Sequence, residues 1–155
     1  YAINFHPSTL SNPGAGSYSY PIYKDEKYHG VVCHQMTAKP DQGKILFEKK
    51  FRINKNYDFL SLRDKTLVKS LELFYKVVDK IINEKKIKFK FSKKKWKRKP
   101  RIFTEYKDEI LTINNKTDIL KKIKSINPYM PGPYSKNKKI LTETRKIKKY
   151  YKYTY

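Results

Sequence analysis

The chain has 155 residues, enough for one domain with a hydrophobic core, and carries 37 Lys and Arg against 14 Asp and Glu, a net charge of +23. Its one cysteine, Cys33, excludes an intrachain disulfide framework and fits a reducing compartment. No apolar run is long enough for a membrane-spanning helix and no basic-then-apolar leader opens the chain, so the sequence reads as soluble and cytoplasmic, with no membrane partner.

The charge is unevenly placed. Residues 1–41 balance Lys24, Lys27 and Lys39 against Asp25, Glu26 and Asp41, so the whole excess follows Asp41. A basic surface of this size suggests nucleic acid. Yet only five of the 37 basic residues are Arg, the better bidentate reader of phosphate. Lys, Ile, Asn, Tyr and Phe are also residues of A/T-rich codons. Codon bias filling solvated positions with Lys therefore explains the charge about as well, and a nucleic-acid partner is not favoured.

Taken in order, Ala2-Ile3-Asn4-Phe5-His6 is a short apolar run stopped by Pro7, as a central strand stops. Asn4 and His6 are two apart, so they point to the same face near its C-terminal edge. Residues 8–17 are a Ser-, Asn-, Pro- and Gly-rich loop. A short helix is expected within Ser17–Lys24. Tyr28–Thr37 reads as a strand, Ala38–Gly43 as a loop, and Lys44–Ile53 as a second strand with Ile45, Phe47 and Phe51 on one face, the two strands forming a hairpin. His29 is placed in a solvated turn and Cys33 in the interior.

Leu67, Leu71, Phe74, Val78 and Ile81 then mark an amphipathic helix, expected from about Leu62 to Asn83 with Ser61 as its cap. Residues 85–101 hold eleven Lys or Arg around Phe89, Phe91 and Trp96 and read as a surface connection. A helix is expected over Asp118–Ser125, irregular chain over Asn127–Pro133, a strand at Ile140–Leu141, and a disordered Lys/Tyr-rich tail over 145–155.

Four motifs carry chemistry: Asn4-Phe5-His6-Pro7, Pro13-Gly14-Ala15-Gly16, His34-Gln35-Met36 and Asp41-Gln42-Gly43. Alone, each has a bland reading, since Asn4 and His6 could merely cap a strand edge and His34 could be a structural histidine. In this order and spacing they resemble the formyltransferase family that uses 10-formyltetrahydrofolate. The closest likeness is to the sugar-nucleotide N-formyltransferases, through Phe5-His6-Pro7, Pro13 to Tyr18, Tyr28 to Met36, Trp96 to Pro100 and Pro131-Gly132-Pro133-Tyr134. The methionyl-tRNA and glycinamide ribonucleotide enzymes usually carry Ser-Leu-Leu-Pro after the His-Pro, where this chain has Ser8-Thr9-Leu10-Ser11.

The resemblance implies an α/β fold: the C-terminal part of a Rossmann-like formyltransferase domain over 1–84, a small basic α+β extension over 85–144, then the tail. The family has several strands before its Asn-x-His motif. A chain opening on Tyr1-Ala2-Ile3 lacks them and reads as truncated or processed. The resemblance also implies a site in which Asn4, His6 and Asp41 are catalytic. His34, Lys39, Pro40 and Asp41 would hold 10-formyltetrahydrofolate, and Tyr18 and Trp96 would contact substrate; for Trp96 the alternative is an anchor for the basic segment.

Formyl transfer to an amine develops an oxyanion, for which the Asn4 amide is a donor, and moves a proton, for which His6 and Asp41 are suited. No metal is called for. The expected acceptor is the amino group of a nucleotide-linked amino sugar, with methionyl-tRNA or a basic RNA- or ribosome-associated role as alternatives. Homodimerisation is left open. Asn4, His6 and Asp41 are expected to converge, with His6 nearest Asp41.

Overall fold

The fold comes from a computed structural model that describes residues 2–83, 90–113, 119–128 and 134–135. Strands β1 (Ile3–His6), β2 (Tyr28–Gln35) and β3 (Ile45–Arg52) form an antiparallel sheet in the order β1-β2-β3. The β2–β3 hairpin is as expected. Strand β1, read as central from its apolar character, is an edge strand of the described sheet. Its apolar residues, Ile3 and Phe5, pack on the cluster that holds Leu73 and Val77, which does not require a strand on both sides.

Register decides what each face carries. Asn4 lies opposite His34 and His6 opposite Val32, whereas Phe5 lies opposite Cys33. Side chains alternate along a strand, so Asn4, His6, Val32 and His34 share one face and Ile3, Phe5, Val31 and Cys33 the other. The second face packs against helix α2 (Phe59–Asn83), where Val31, Cys33 and Leu46 meet Leu73 and Val77. The first face is left for Leu10, Ile45, Trp96 and the polar groups.

A bulge interrupts the β2–β3 pairing between Cys33 and His34, with Cys33 opposite Phe47 and His34 opposite Ile45. It corrects the expectation that Ile45, Phe47 and Phe51 share a face. Skipping Leu46 carries Ile45 to the polar face, while Phe47 stays towards α2. His29, expected in a solvated turn, is instead a fully buried residue of β2 opposite Phe51.

Helix α2 begins three residues earlier than expected, because the cap is Asp58 rather than Ser61. The Asp58 carboxylate accepts from the Ser61 backbone N–H at 2.8 Å and from its hydroxyl at 2.7 Å. Its buried stripe is Phe59, Leu62, Thr66, Leu73 and Val77. Leu67, Leu71 and Phe74, the expected core stripe, are 49%, 56% and 44% exposed. The helix is apolar on two adjacent faces, and the sheet covers only one of them.

Helix α1 (Ser19–Tyr23) falls where a short helix is expected, and packs with the C-terminal elements. These are α3 (Phe103–Tyr106), which continues into a π-helical turn over Lys107–Leu111, then β4 (Thr112–Ile113), α4 (Ile119–Ser125) and β5 (Tyr134–Ser135), parallel to β4. Helix α4 matches its expected position; the β4–β5 pair has no counterpart in the sequence reading. Tyr20, Tyr106, Ile110, Leu111 and Ile126 form this second core. The expected strand at Ile140–Leu141 and the tail over 145–155 lie outside the described residues. No described helix is long and apolar enough to cross a membrane.

Candidate active site

The polar groups of the open sheet face meet around one carboxylate. Asp41 sits in the β2–β3 loop with φ +46°, a left-handed backbone that Asp tolerates better than most residues and that turns its side chain inward. Its Oδ2 lies 3.2 Å from His6 Nδ1 and its Oδ1 3.4 Å from His34 Nε2. The Gly14 backbone N–H donates to Oδ2 at 2.9 Å. Asn4 Nδ2 donates to His34 Nε2 at 3.2 Å. The expected convergence of Asn4, His6 and Asp41 is thus present in the geometry, and His34 joins it.

Backbone carbonyls assign the ring tautomers, because a carbonyl can only accept. His6 Nε2 donates to the Asn12 carbonyl at 3.1 Å, so His6 carries its proton on Nε2. His34 Nδ1 donates to the Gln35 carbonyl at 2.9 Å, which leaves Nε2 to accept from Asn4. Both rings therefore turn their second nitrogen towards Asp41, and the space between them can take up a proton.

Burial pushes the His6 imidazole below its ordinary value, outweighing the Asp41 charge and the Asn12 carbonyl, which both favour the protonated ring. At neutral pH His6 Nδ1 is a free acceptor. Burial would raise Asp41, but the neighbouring His34 and His6 rings and the Gly14 amide together hold its carboxyl below the usual range. Asp41 is an anion under the same conditions.

Two glycines make this packing possible. Gly14 has φ +82°, and a Cβ there would overlap the Arg101 backbone. Gly43 presses on β2 so closely that a Cβ would overlap the Gln35 carbonyl. Gly43→Ala is expected to lower stability by about 2 kcal/mol, from the cost of overpacking, and urea denaturation measures it.

Trp96 closes the site from the basic run. Its ring meets His34 edge-on at 5.1 Å and His6 at 5.7 Å, and its indole N–H donates to the Gly43 carbonyl at 3.0 Å. The run expected to be a plain surface connection is therefore tied down, also by Ser92 N–H to the Ile45 carbonyl and Lys97 N–H to the Leu10 carbonyl. Beside Trp96 opens a cavity of about 600 Å³ lined by Lys44, Lys94, Lys95, Arg98 and Lys99.

The other sequence-derived residues lie further out. Lys39 and Pro40 are exposed in the loop just before Asp41. Tyr18 packs edge-on against Phe59 and His29, apart from the Asp41 cluster. The motifs do not point to Asn12, buried against His6, or to Arg101, buried against Asn12. A signal for Arg101 exists: it is an Arg in a run otherwise written mostly with Lys. Among the described residues no group of His, Cys, Asp and Glu could hold a metal ion.

The formyl transferase family matches residues 1–78. A methionyl-tRNA formyltransferase of Wolbachia sp. subsp. Drosophila simulans is 35% identical over 80 residues, 51% of this chain and 27% of that protein. The chain thus spans under a third of that relative. Among solved structures, a 4-N formyltransferase from Francisella tularensis superposes with a TM-score of 0.66 at 22% identity, over 86% of this chain and 56% of that one. An N-formyltransferase from Helicobacter canadensis, in complex with folinic acid and dTDP-3-aminofucose, gives 0.61 at 24% identity, over 80% and 46%. At these identities the likeness is one of fold.

Proposed function

The chain belongs to the formyl transferase family, and from that premise we propose that it transfers a formyl group from 10-formyltetrahydrofolate to the primary amine of a nucleotide-linked amino sugar. The observation that carries the reading is the meeting of Asn4, His6 and His34 around the Asp41 carboxylate, on the sheet face that α2 leaves open.

The residues present fit such a donor. The folate, when bound, would supply a formyl carbon that the amine nitrogen attacks, the bond to folate N10 breaking only after the new bond has formed. The Asn4 amide, a neutral donor, would stabilise the negative charge that the attack puts on the formyl oxygen before that bond breaks. The amine must lose a proton, and His6 Nδ1 with the Asp41 anion offers a buried acceptor that is vacant at neutral pH. The same pair returns a proton to the departing nitrogen, so the proton count closes. Trp96 keeps bulk water from His6 and His34. Lys39 and Pro40, next to Asp41 on the exposed loop, and His34 are the proposed contacts to the folate.

A nucleotide-linked acceptor is supported by the cavity beside Trp96, whose lysines and Arg98 suit a diphosphate. The Helicobacter canadensis protein, crystallised with dTDP-3-aminofucose, shares the fold. Tyr18 and Trp96 are the proposed substrate contacts. The Wolbachia relative favours methionyl-tRNA as a second acceptor.

Both acceptors are tested together. The protein is incubated with 10-formyltetrahydrofolate and either a dTDP-linked amino sugar or methionyl-tRNA, and products are read by mass spectrometry. Formylated amino sugar is the expected product, with activity that survives roughly 200 mM salt, where binding carried by phosphate contacts alone collapses. Formylated methionyl-tRNA alone would transfer the reading to the second acceptor. No formylation of either would overturn it.

A further inference from the structure

We propose that Arg101 is a positioning residue for His6, acting through Asn12. The inference rests on the reading of His6 as the proton acceptor in formyl transfer.

Arg101 ends the basic run, and it alone among the described cations of that run is buried, at 5% exposure. Its backbone is locked into the loop that follows β1: its N–H donates to the Pro13 carbonyl at 3.1 Å, and its carbonyl accepts from Ala15 N–H at 3.0 Å. The guanidinium lies over the Tyr20 ring, 3.7 Å from the ring centre, and Nη1 donates to Asn12 Oδ1 at 3.0 Å.

Asn12 is held from its other end as well. Its Nδ2 donates to both Glu26 carboxylate oxygens, at 2.9 and 3.1 Å. The amide thus bridges a cation on its oxygen and an anion on its nitrogen. Both bonds are charge-assisted and both oppose an amide flip, which would set the NH2 against the guanidinium and the oxygen against the carboxylate. The backbone N–H of Asn12 is also used, donating to the Thr9 carbonyl at 3.0 Å.

What this clamp fixes is the one remaining polar group of Asn12, its carbonyl, which accepts from His6 Nε2. A fixed acceptor at Nε2 sets the tautomer and the plane of the ring, and so aims Nδ1 at Asp41. A plain core role does not account for the choice of residue. A buried cation whose Nε has no partner among the described residues costs stability that an apolar side chain would not. Lys could reach Asn12 but cannot stack a planar group on Tyr20.

The test reads the His6 ring directly, by long-range proton–nitrogen NMR across the acid-to-neutral range, alongside kcat and KM. The titratable groups facing His6 are Asp41, His34 and His29. In the unaltered protein neutral His6 is expected as the Nε2–H tautomer. In Arg101→Met both neutral tautomers should appear, and the apparent pKa should fall, since a carbonyl that favours the charged ring is no longer held. Where formyl transfer is measurable, kcat should fall about tenfold with KM within about twofold, the pattern of a misaimed catalytic group. Arg101→Lys should restore part of the tautomer preference.

Glu26→Gln, at a half-exposed position, loosens the other end of the clamp and should shift His6 in the same direction; it decides the matter if Arg101→Met does not fold. His6 signals unchanged in the folded variants, whatever their thermal stability, would overturn the proposal. So would a shifted tautomer with unaltered kcat. A responsive His6 in a protein that formylates no amine would sink the formyl-transfer reading and leave the Arg101–Asn12–His6 coupling standing.

Discussion

Asp41→Asn should lower formyl transfer by about a thousandfold or more, a loss of some 4 kcal/mol of transition-state stabilisation, with little change in thermal stability. The substitution is nearly isosteric. An amide carbonyl at this position can still accept from Gly14 N–H, so the loop should keep its shape. What disappears is the negative charge that His6 and His34 share.

Two effects then act in the same direction. The Asp41 charge favours a protonated His6, so without it burial should push the ring further below its ordinary value and weaken it as a base. The introduced amide would also turn an N–H towards one of the ring nitrogens, blocking the acceptor that the amine proton needs. The pH profile of kcat/KM distinguishes these effects from a folding defect. In the unaltered protein activity should fall on the acid side as His6 protonates; in Asp41→Asn the residual activity should lose that limb or carry it to lower pH. Wild-type turnover in a folded Asp41→Asn protein would remove Asp41 from the mechanism.

Much of this site is legible in the sequence because a strand alternates with period two. Asn4 and His6 share a face by their spacing alone, and the Gly-rich segments announce the turns that fold the chain back over them. Other features depend on contacts no local pattern encodes. The apolar positions of α2 cover two adjacent stripes, and Leu67, Leu71 and Phe74 give the cleaner periodicity although the buried positions are Leu62, Thr66, Leu73 and Val77, of which Leu73 and Val77 meet the sheet. The bulge at Leu46 is settled by how β3 meets β2, and it alone moves Ile45 to the polar face. Arg101 and Asn12 are 89 positions apart, and their contact follows from the docking of the basic run.

His29 supplies the second large effect, one of stability rather than catalysis. It reads as a turn residue from its neighbour Gly30, yet its ring is fully buried between Tyr18 and Phe51, and neither ring nitrogen has a hydrogen-bond partner among the described residues. Burial pushes it down to about 3, with the Pro7 carbonyl offsetting little of that and the nearby His6 adding to it. The folded-state value is depressed, so stability is complete above the ordinary histidine value of about 6.5 and declines as pH falls towards 3, where the unfolded chain binds a proton the folded one refuses. By about pH 4 this one residue should cost on the order of 3 kcal/mol, a large share of the stability of a domain of this size. His29→Phe should fill the same aromatic pocket without the liability. Denaturant titrations at about pH 7 and pH 4 should then show a small difference between the two proteins at neutrality and a clear advantage for His29→Phe in acid. Equal loss of stability in both on acidification would mean that acid sensitivity arises elsewhere, with the Asp41 cluster the next place to look.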